Sequence, residues 1–470
     1  MVRLLLLVPG VRLTALPLVL LLLAALVAAA PADAASFRLR RMVVIGDSLL
    51  AGFGSGGFIA KGRTGQNNAA PSLIARQAGE RLTIPSMSAP GVPPPLVIVD
   101  ADGDGVLDPG DVKRRATGFG FRSKPFRSVR NLAVPGEDLT SVFHEIAVDD
   151  IANQIVGGDV SGRDALKFLI VGLPPDMKDA SQISRAKDLG PSFLLVWLGN
   201  NDVLGMATDT NPTKADLGRA EFAQRFRQLL NELADTGADM AVANLPDVTG
   251  IAALRRAAGE VTTCDASGTP TPVAEDDLLS IDLPRSLLPV PPCGKVLDVA
   301  EQAQVRATVV GFNEEIAAAV ADVQANRGRL IALVDVFSLF DTIRTAGVDV
   351  TGDGVPDVSS GYLGGLFSLD GIHPTRTGHA LIANVFIDAI DLKFGETIPR
   401  VDVARVASND FLVGNRFRPA GEPPFGLIGD DDTDEIETFF DHVFDQVKTG
   451  TDDLNDDVLD RVRHWFEGLF

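Results

Sequence analysis

Arg41-Met42-Val43-Val44-Ile45-Gly46-Asp47-Ser48-Leu49 is a short apolar run that ends on a glycine and two polar residues. The run is apolar at successive positions and too short for a helix. It reads as a strand buried on both faces that feeds a turn. Three more runs repeat the pattern. Phe193-Leu194-Leu195-Val196-Trp197-Leu198 stops at Gly199; Met240-Ala241-Val242-Ala243-Asn244 follows a helical stretch over 219–234; Leu330-Ile331-Ala332-Leu333-Val334 follows another over 301–324. Strands separated by helices need crossover connections, so the expectation is an α/β fold with a mostly parallel central sheet covered on both faces. Ligands of such sheets sit at the carboxyl ends of the strands.

The chain has 470 residues, 46% of them hydrophobic and 22% charged. It is long enough to bury a sizeable core, and its composition excludes collagen, a coiled coil and wholesale disorder. The net charge is −21, which repels phosphate backbones and argues against a nucleic-acid partner. At the N-terminus, Arg3 and Arg12 precede an apolar run over 16–30, and Ala32-Asp33-Ala34 supplies a small-residue cleavage signal. That order reads as a secretory signal peptide cleaved after Ala34; the bland alternative is an uncleaved anchor, for which the run is short. In an exported chain the two cysteines, Cys264 and Cys293, are expected to pair in a disulfide, the alternative being two free thiols.

Chemistry-bearing residues fall in four separated blocks. Gly46-Asp47-Ser48-Leu49 puts a serine at the end of the first strand, where a helix N-terminus favours developing negative charge. Asn131-Leu132-Ala133-Val134-Pro135-Gly136 ends on a glycine able to bring a backbone N–H close to a substrate oxygen. Gly199-Asn200-Asn201-Asp202 follows the second long strand and offers a neutral amide donor. Asp370-Gly371-Ile372-His373-Pro374 places a carboxylate three residues before a histidine, the pairing that holds one imidazole tautomer in serine triads. Each block alone reads as readily as a cap, a turn or a surface histidine. Together, in this order and at these element ends, they point to nucleophilic acyl transfer.

On these blocks the chain resembles the GDSL lipases and esterases, the SGNH hydrolases. The four name-giving positions fall on Ser48, Gly136, Asn201 and His373, with Asp370 completing the triad and Asn200 in the variable position of the G-x-N-D block. The likeness runs from about residue 41 to about 398 and includes Asn244-Leu245-Pro246 and Gly365-Leu366-Phe367-Ser368-Leu369-Asp370. It implies a three-layer α/β/α sandwich of flavodoxin-like type. It also implies ester hydrolysis by Ser48, His373 and Asp370 with no cofactor in the chemistry, and an oxyanion hole made of Ser48 N–H, Gly136 N–H and the Asn201 amide. The expected organisation is a signal peptide over 1–34, a hydrolase domain over 35–400 with loop insertions near 85–125 and 264–294, and an acidic amphipathic helical extension over 401–470. That extension reads as a docked helical hairpin or as a lid that touches lipid transiently.

Two acidic loops have calcium-loop spacing. Asp100, Asp102, Asp104, Asp108 and Asp111 occupy positions 1, 3, 5, 9 and 12, with Gly105 at the sharp turn and Val106 at the position that coordinates through its carbonyl. Asp349, Thr351, Asp353 and Asp357 repeat positions 1, 3, 5 and 9, with Ser360 at position 12. The alternative for both is a solvated acidic turn. The leading expectation is therefore a secreted or periplasmic serine esterase acting on a small-molecule or lipid ester. A carbohydrate deacetylase or an acyltransferase on the same site, and a non-catalytic calcium-binding surface protein, are the competing readings.

Overall fold

The computed structural model describes residues 38–61, 65–98, 112–113, 120–147, 150–151, 153–154, 161–172, 179–256, 262–264, 270–280 and 296–413. The expected signal peptide and the acidic stretch from 414 onward lie outside these residues. No described helix is long and apolar enough to cross a membrane.

All four long apolar runs are strands of one parallel sheet: β1 (Met42–Gly46), β2 (Phe193–Trp197), β3 (Asp239–Ala243) and β4 (Ile331–Val334), in the order β1-β2-β3-β4. Gly46 pairs with Trp197, Val196 with Val242, and Ala243 with Val334. The bounds of each strand fall within one residue of the apolar run that predicts it. Side chains add to the ladder at its ends: Asp239 Oδ1 accepts the N–H of Leu330 at 2.9 Å, and the Asn244 side chain bonds Asp335 and the N–H of Phe337 while its backbone N–H donates to Val334 O at 3.1 Å.

A fifth, irregular strand was not anticipated. Val44 N–H donates to Arg130 O, and Leu132 and Val134 donate to Val44 O and Gly46 O, all at 2.8–3.0 Å. Residues 130–134 therefore run parallel to β1 on its outer side. Counting this segment as the second strand in the chain gives the order 2-1-3-4-5, whose switch point lies between β1 and β2.

Helices cover the sheet in two groups. One comprises α3 (Gln182–Leu189), α5 (Arg219–Ala234) and α6 (Val299–Arg327). Phe222 of α5 stacks on Phe312 of α6 with ring centroids 4.0 Å apart. The other comprises α2 (Ala70–Gln77) and α8 (Arg376–Phe394), with α7 (Val336–Ala346) beside α8. Phe386 of α8 faces Trp197 of β2, and Phe394 meets Phe193 edge-on. Two short helices, α1 (Ser48–Ala51) and α4 (Asn200–Thr208), start directly after β1 and β2. Residues 401–413 pack on α8: Leu412 and Val413 are buried, and the Asp410 carboxylate accepts the N–H and hydroxyl of Thr377.

The stretch 264–294, expected as a loop, carries β structure in its described part. Leu278–Ser280 is the centre of a three-stranded antiparallel sheet with Leu254–Arg256 and Val296–Leu297, and Pro270–Pro272 pairs with Thr262–Cys264. Strands of two or three residues are too short to display the alternation by which a strand is read. The described part of the insertion over 85–125 holds one such pair, Val97–Ile98 with Val112–Lys113.

Candidate active site

The serine turn is built by β1. Gly46 lets β1 and β2 close on each other: a Cβ there would stand 2.9 Å from Trp197 O. Asp47 caps α1 by accepting the N–H of Leu49 at 3.0 Å. Ser48 is the first residue of α1 and half-buried. Its own N–H belongs to the first turn, which has no intrahelical acceptor, so it is free to meet an anion. Burial pushes the Asp47 carboxyl up to about 6 even though it accepts from Asn200 and Leu49.

The acid–base pair comes from the loop before α8. His373 Nδ1 lies 2.9 Å from Asp370 Oδ2. Asp370 Oδ1 accepts the backbone N–H groups of Ile372 and His373, each at 2.9 Å. Burial alone would raise this carboxyl. The His373 ring and the two N–H donors outweigh it and hold the group at about 2. The pair is bolted to the serine turn by the segment that follows α1. Gly56 N–H donates to Asp370 Oδ2, Ser55 N–H donates to Ser368 Oγ at 2.7 Å, and the Phe53 ring lies 4.8 Å from the His373 ring. Among the described residues His373 Nε2 makes no hydrogen bond, with Ser48 or with any other group. Such bonds often tighten only when substrate is bound.

Gly136 and Asn201 flank the serine on the two strands beside β1. Gly136 follows the outer segment 130–134, is exposed, and has φ +82°, a conformation that favours glycine. Asn201 stands in the first turn of α4, and its Nδ2 donates one hydrogen to Glu137 O at 2.7 Å, which leaves the second. Asp202 secures the same loop by accepting Leu139 N–H at 3.1 Å; burial, with Asp138 and Asp216 nearby, pushes it up to about 7. The carboxyl edge of three neighbouring strands thus carries Ser48, Gly136 and Asn201 side by side, with Asp370 and His373 fixed to the serine turn.

Several residues that sequence reasoning passed over also serve the site. Asn200, read as a variable position, donates to Asp47 Oδ2 at 2.8 Å. Ser55 and Ser368 clamp the histidine loop. Glu137, Lys167 and Gln182 form a buried polar cluster behind Gly136. No local pattern announces these contacts, because each joins residues far apart in the chain.

The first acidic loop, Asp100 to Asp111, lies outside the described residues, as does Cys293. The second loop is described and exposed. Asp349 accepts Gly352 N–H at 2.6 Å and Gly354 N–H at 2.7 Å, and Asp357 accepts Val350 and Thr351 N–H at 3.1 and 3.0 Å. Among the described residues no three acidic, histidine or cysteine side chains converge as a metal cage.

Comparison with known proteins agrees with the family resemblance. The family described as GDSL-like lipase/acylhydrolase matches residues 42–386. No protein with a curated description matches the chain. Two solved structures are similar over most of their length. The chain is 15% identical to LAE5, an alpha/beta hydrolase enzyme from the metagenome of Lake Arreo, over 74% of this chain and 93% of that one, with a TM-score of 0.30. It is 14% identical to an extracellular lipase from Streptomyces rimosus, over 75% of this chain and 98% of that one, with a TM-score of 0.32. The family match spans the strand-end serine, the loop glycine, the asparagine of α4 and the histidine pair; the chain belongs to the GDSL-like lipase/acylhydrolase family and is a hydrolase of ester bonds.

Proposed function

We propose that the chain is an exported serine ester hydrolase that works through Ser48, His373 and Asp370. The observation that carries this reading is the 2.9 Å contact of His373 Nδ1 with Asp370, on a loop whose Asp370 is bonded to the segment just after Ser48. In the reaction His373 Nε2 takes the Ser48 proton as Oγ attacks the ester carbonyl carbon. Asp370 keeps Nδ1 protonated and stabilises the imidazolium. The carbonyl oxygen, now an oxyanion, accepts hydrogen bonds from Ser48 N–H, Gly136 N–H and the free Asn201 amide hydrogen. Collapse expels the alcohol, which leaves with the proton from His373. Water then gives a proton to His373 as it attacks the acyl-enzyme, and His373 returns that proton to Ser48 Oγ as the acid is released.

The carbohydrate deacetylase reading stands beside the lipase one, because a polar pocket of about 460 Å³ lined by His144, Asp150, Asn153, Gln154, Arg163 and Lys167 lies on the Gly136 side, where a Cβ on Gly136 would meet the Arg163 stem at 3.5 Å. The proposal also includes export by the segment over 1–34, a disulfide between Cys264 and Cys293, and structural calcium at the loop over 100–111, each resting on the sequence pattern. The test is fluorophosphonate labelling of wild type and Ser48→Ala, followed by hydrolysis of p-nitrophenyl esters of rising chain length against acetylated sugars. Labelling at Ser48 with loss of hydrolysis in Ser48→Ala is expected. Full activity in a folded Ser48→Ala protein would overturn the mechanism.

A further inference from the structure

We infer that Glu137 is a positioning residue of the oxyanion hole, held from behind by Lys167 and Gln182 so that Gly136 and the Asn201 amide are set against the end of β1. Glu137 directly follows Gly136, but the two face opposite ways: Gly136 is exposed and Glu137 is fully buried. Its carboxylate accepts from Lys167 Nζ at 3.2 Å and from Gln182 Nε2 at 3.0 Å. Lys167 is itself buried and also donates to Ser141 O. Gln182 then grips both backbone groups of Gly46, accepting its N–H and donating to its C=O, each at 2.9 Å.

The backbone of Glu137 completes the circuit. Its C=O accepts the Asn201 amide at 2.7 Å, and its N–H donates to Val134 O at 3.1 Å. One residue is therefore linked, directly or through Gln182, to all three elements that present oxyanion donors. Its peptide adjoins Gly136, its carbonyl orients Asn201, and its carboxylate reaches, through Gln182, the residue two before Ser48.

A buried ion pair is a poor way to gain stability, because two apolar residues of the same volume do as well or better. What it supplies that they do not is direction. The hydrogen bonds fix Glu137 at both ends, and small displacements at a reacting centre are costly: about 1 Å is worth on the order of 100-fold in rate. The rim of the hole is a glycine at positive φ, the least restrained residue type, so its conformation has to be imposed by its neighbours.

This inference rests on the proposed oxyanion hole, and the experiment separates the two. Glu137→Gln, Lys167→Met and the double variant are compared with wild type by melting temperature, by kcat and KM on p-nitrophenyl butyrate, and by inhibition with an alkyl trifluoromethyl ketone. The ketone is attacked by the serine to give a bound oxyanion. Each single variant leaves one buried partner uncompensated and melts lower. The double variant removes both charges and is expected to melt near wild type. Its kcat is nevertheless expected to fall on the order of 10- to 100-fold with KM within about twofold, and ketone affinity to fall in parallel. A double variant that regains both melting temperature and kcat would overturn the inference, as would a kcat loss with unchanged ketone affinity. Should the double variant not fold, Glu137→Gln alone, whose amide oxygen still meets Gln182, decides on the same two ratios. Asn201→Ala, run alongside, tests the hole itself: unchanged kcat there would remove the oxyanion assignment and this inference with it.

Discussion

Asn200 Nδ2 donates to Asp47 Oδ2 at 2.8 Å and so ties the turn after β2 to the turn after β1. The bond crosses the switch point of the sheet, where Ser48 stands. Asp47 is fully buried and its carboxyl is raised from 3.8 to about 6, so ionising it opposes folding. The native state binds this proton more tightly than the unfolded chain. The associated stability is complete below about 3.8 and is lost as pH rises through about 6. The Asn200 bond offsets part of that loss, because it favours the ionised form. Asn200→Ala is therefore expected to destabilise the protein by about 1.5–3 kcal/mol at pH 8, and by clearly less at pH 4.5. Urea unfolding at the two pH values measures this; equal losses would show that the amide serves the neutral acid equally well.

His379, six residues after His373, separates catalysis from stability. It lies on the inner side of α8, buried, with Nδ1 accepting Ala70 N–H at 3.4 Å. Burial, with some help from His373, depresses it from 6.5 to about 3. The unfolded chain therefore binds the extra proton first, and stability falls as pH drops from about 6.5 towards 3. His379→Gln is expected to weaken this acid-induced loss while leaving substantial ester hydrolysis at pH 8. His373→Ala is expected to abolish hydrolysis and leave the acid sensitivity in place. Melting temperature and hydrolysis measured from pH 4.5 to 8 would distinguish the two histidines, and equal loss of activity in both would count against the assignment of His373 as base.

Asn201 tests the oxyanion hole most directly. Its removal takes away one donor to the developing charge and one bond to Glu137 O. Asn201→Ala is expected to lower kcat by about 10²–10³ with little change in KM, because the donor matters chiefly in the transition state. Asn201→Asp replaces the donor with a repelling carboxylate and is expected to be worse. A large rise in KM at constant kcat would instead assign Asn201 to ground-state binding.

The parts legible in the sequence are those whose cause is local. Four apolar runs ending in glycine or polar turns gave the parallel sheet, and the 3.6-residue pattern placed α5 at Arg219–Ala234 without error. Ser48 and Asn201 lie where the sequence puts them, in the first turn after a strand. The outer strand segment over 130–134 escaped notice because its ladder to β1 is broken and its sequence blends into a glycine loop. Glu137 with Lys167 and Gln182 escaped because a buried ion pair is made by tertiary approach: the partners lie 30 and 45 residues away. The small sheet over 254–297 escaped because its strands are two or three residues long.

Calcium divides the two acidic loops. In the loop from Asp349 to Asp357, the carboxylates of Asp349, Asp353 and Asp357 already accept N–H groups of the loop itself. The N–H groups of Gly354 and Gly352 hold the Asp349 carboxyl below the usual range. Position 12 of this loop is Ser360 where the first loop has Asp111, so it is the weaker of the two calcium candidates. The five carboxylates from Asp100 to Asp111 crowd one another in sequence with a sharp-turn glycine between them, and like charges that close need a counter-ion. An ion that binds only the folded state adds RT ln(1 + [L]/Kd), about 2.7 kcal/mol at a hundredfold excess over Kd. Chelation is therefore expected to lower the melting temperature of wild type and of Asp353→Ala alike, with calcium restoring both and magnesium restoring them poorly. In Asp104→Ala the melting temperature is expected to start low and to ignore both chelator and calcium. Activity at low temperature should follow none of these changes, because Asp370 and His373 are held by the N–H groups of Ile372, His373 and Gly56 and not by either acidic loop. A chelator response that Asp353→Ala abolishes would transfer the ion to the second loop, and no response in any of the three proteins would leave both loops as ordinary acidic turns.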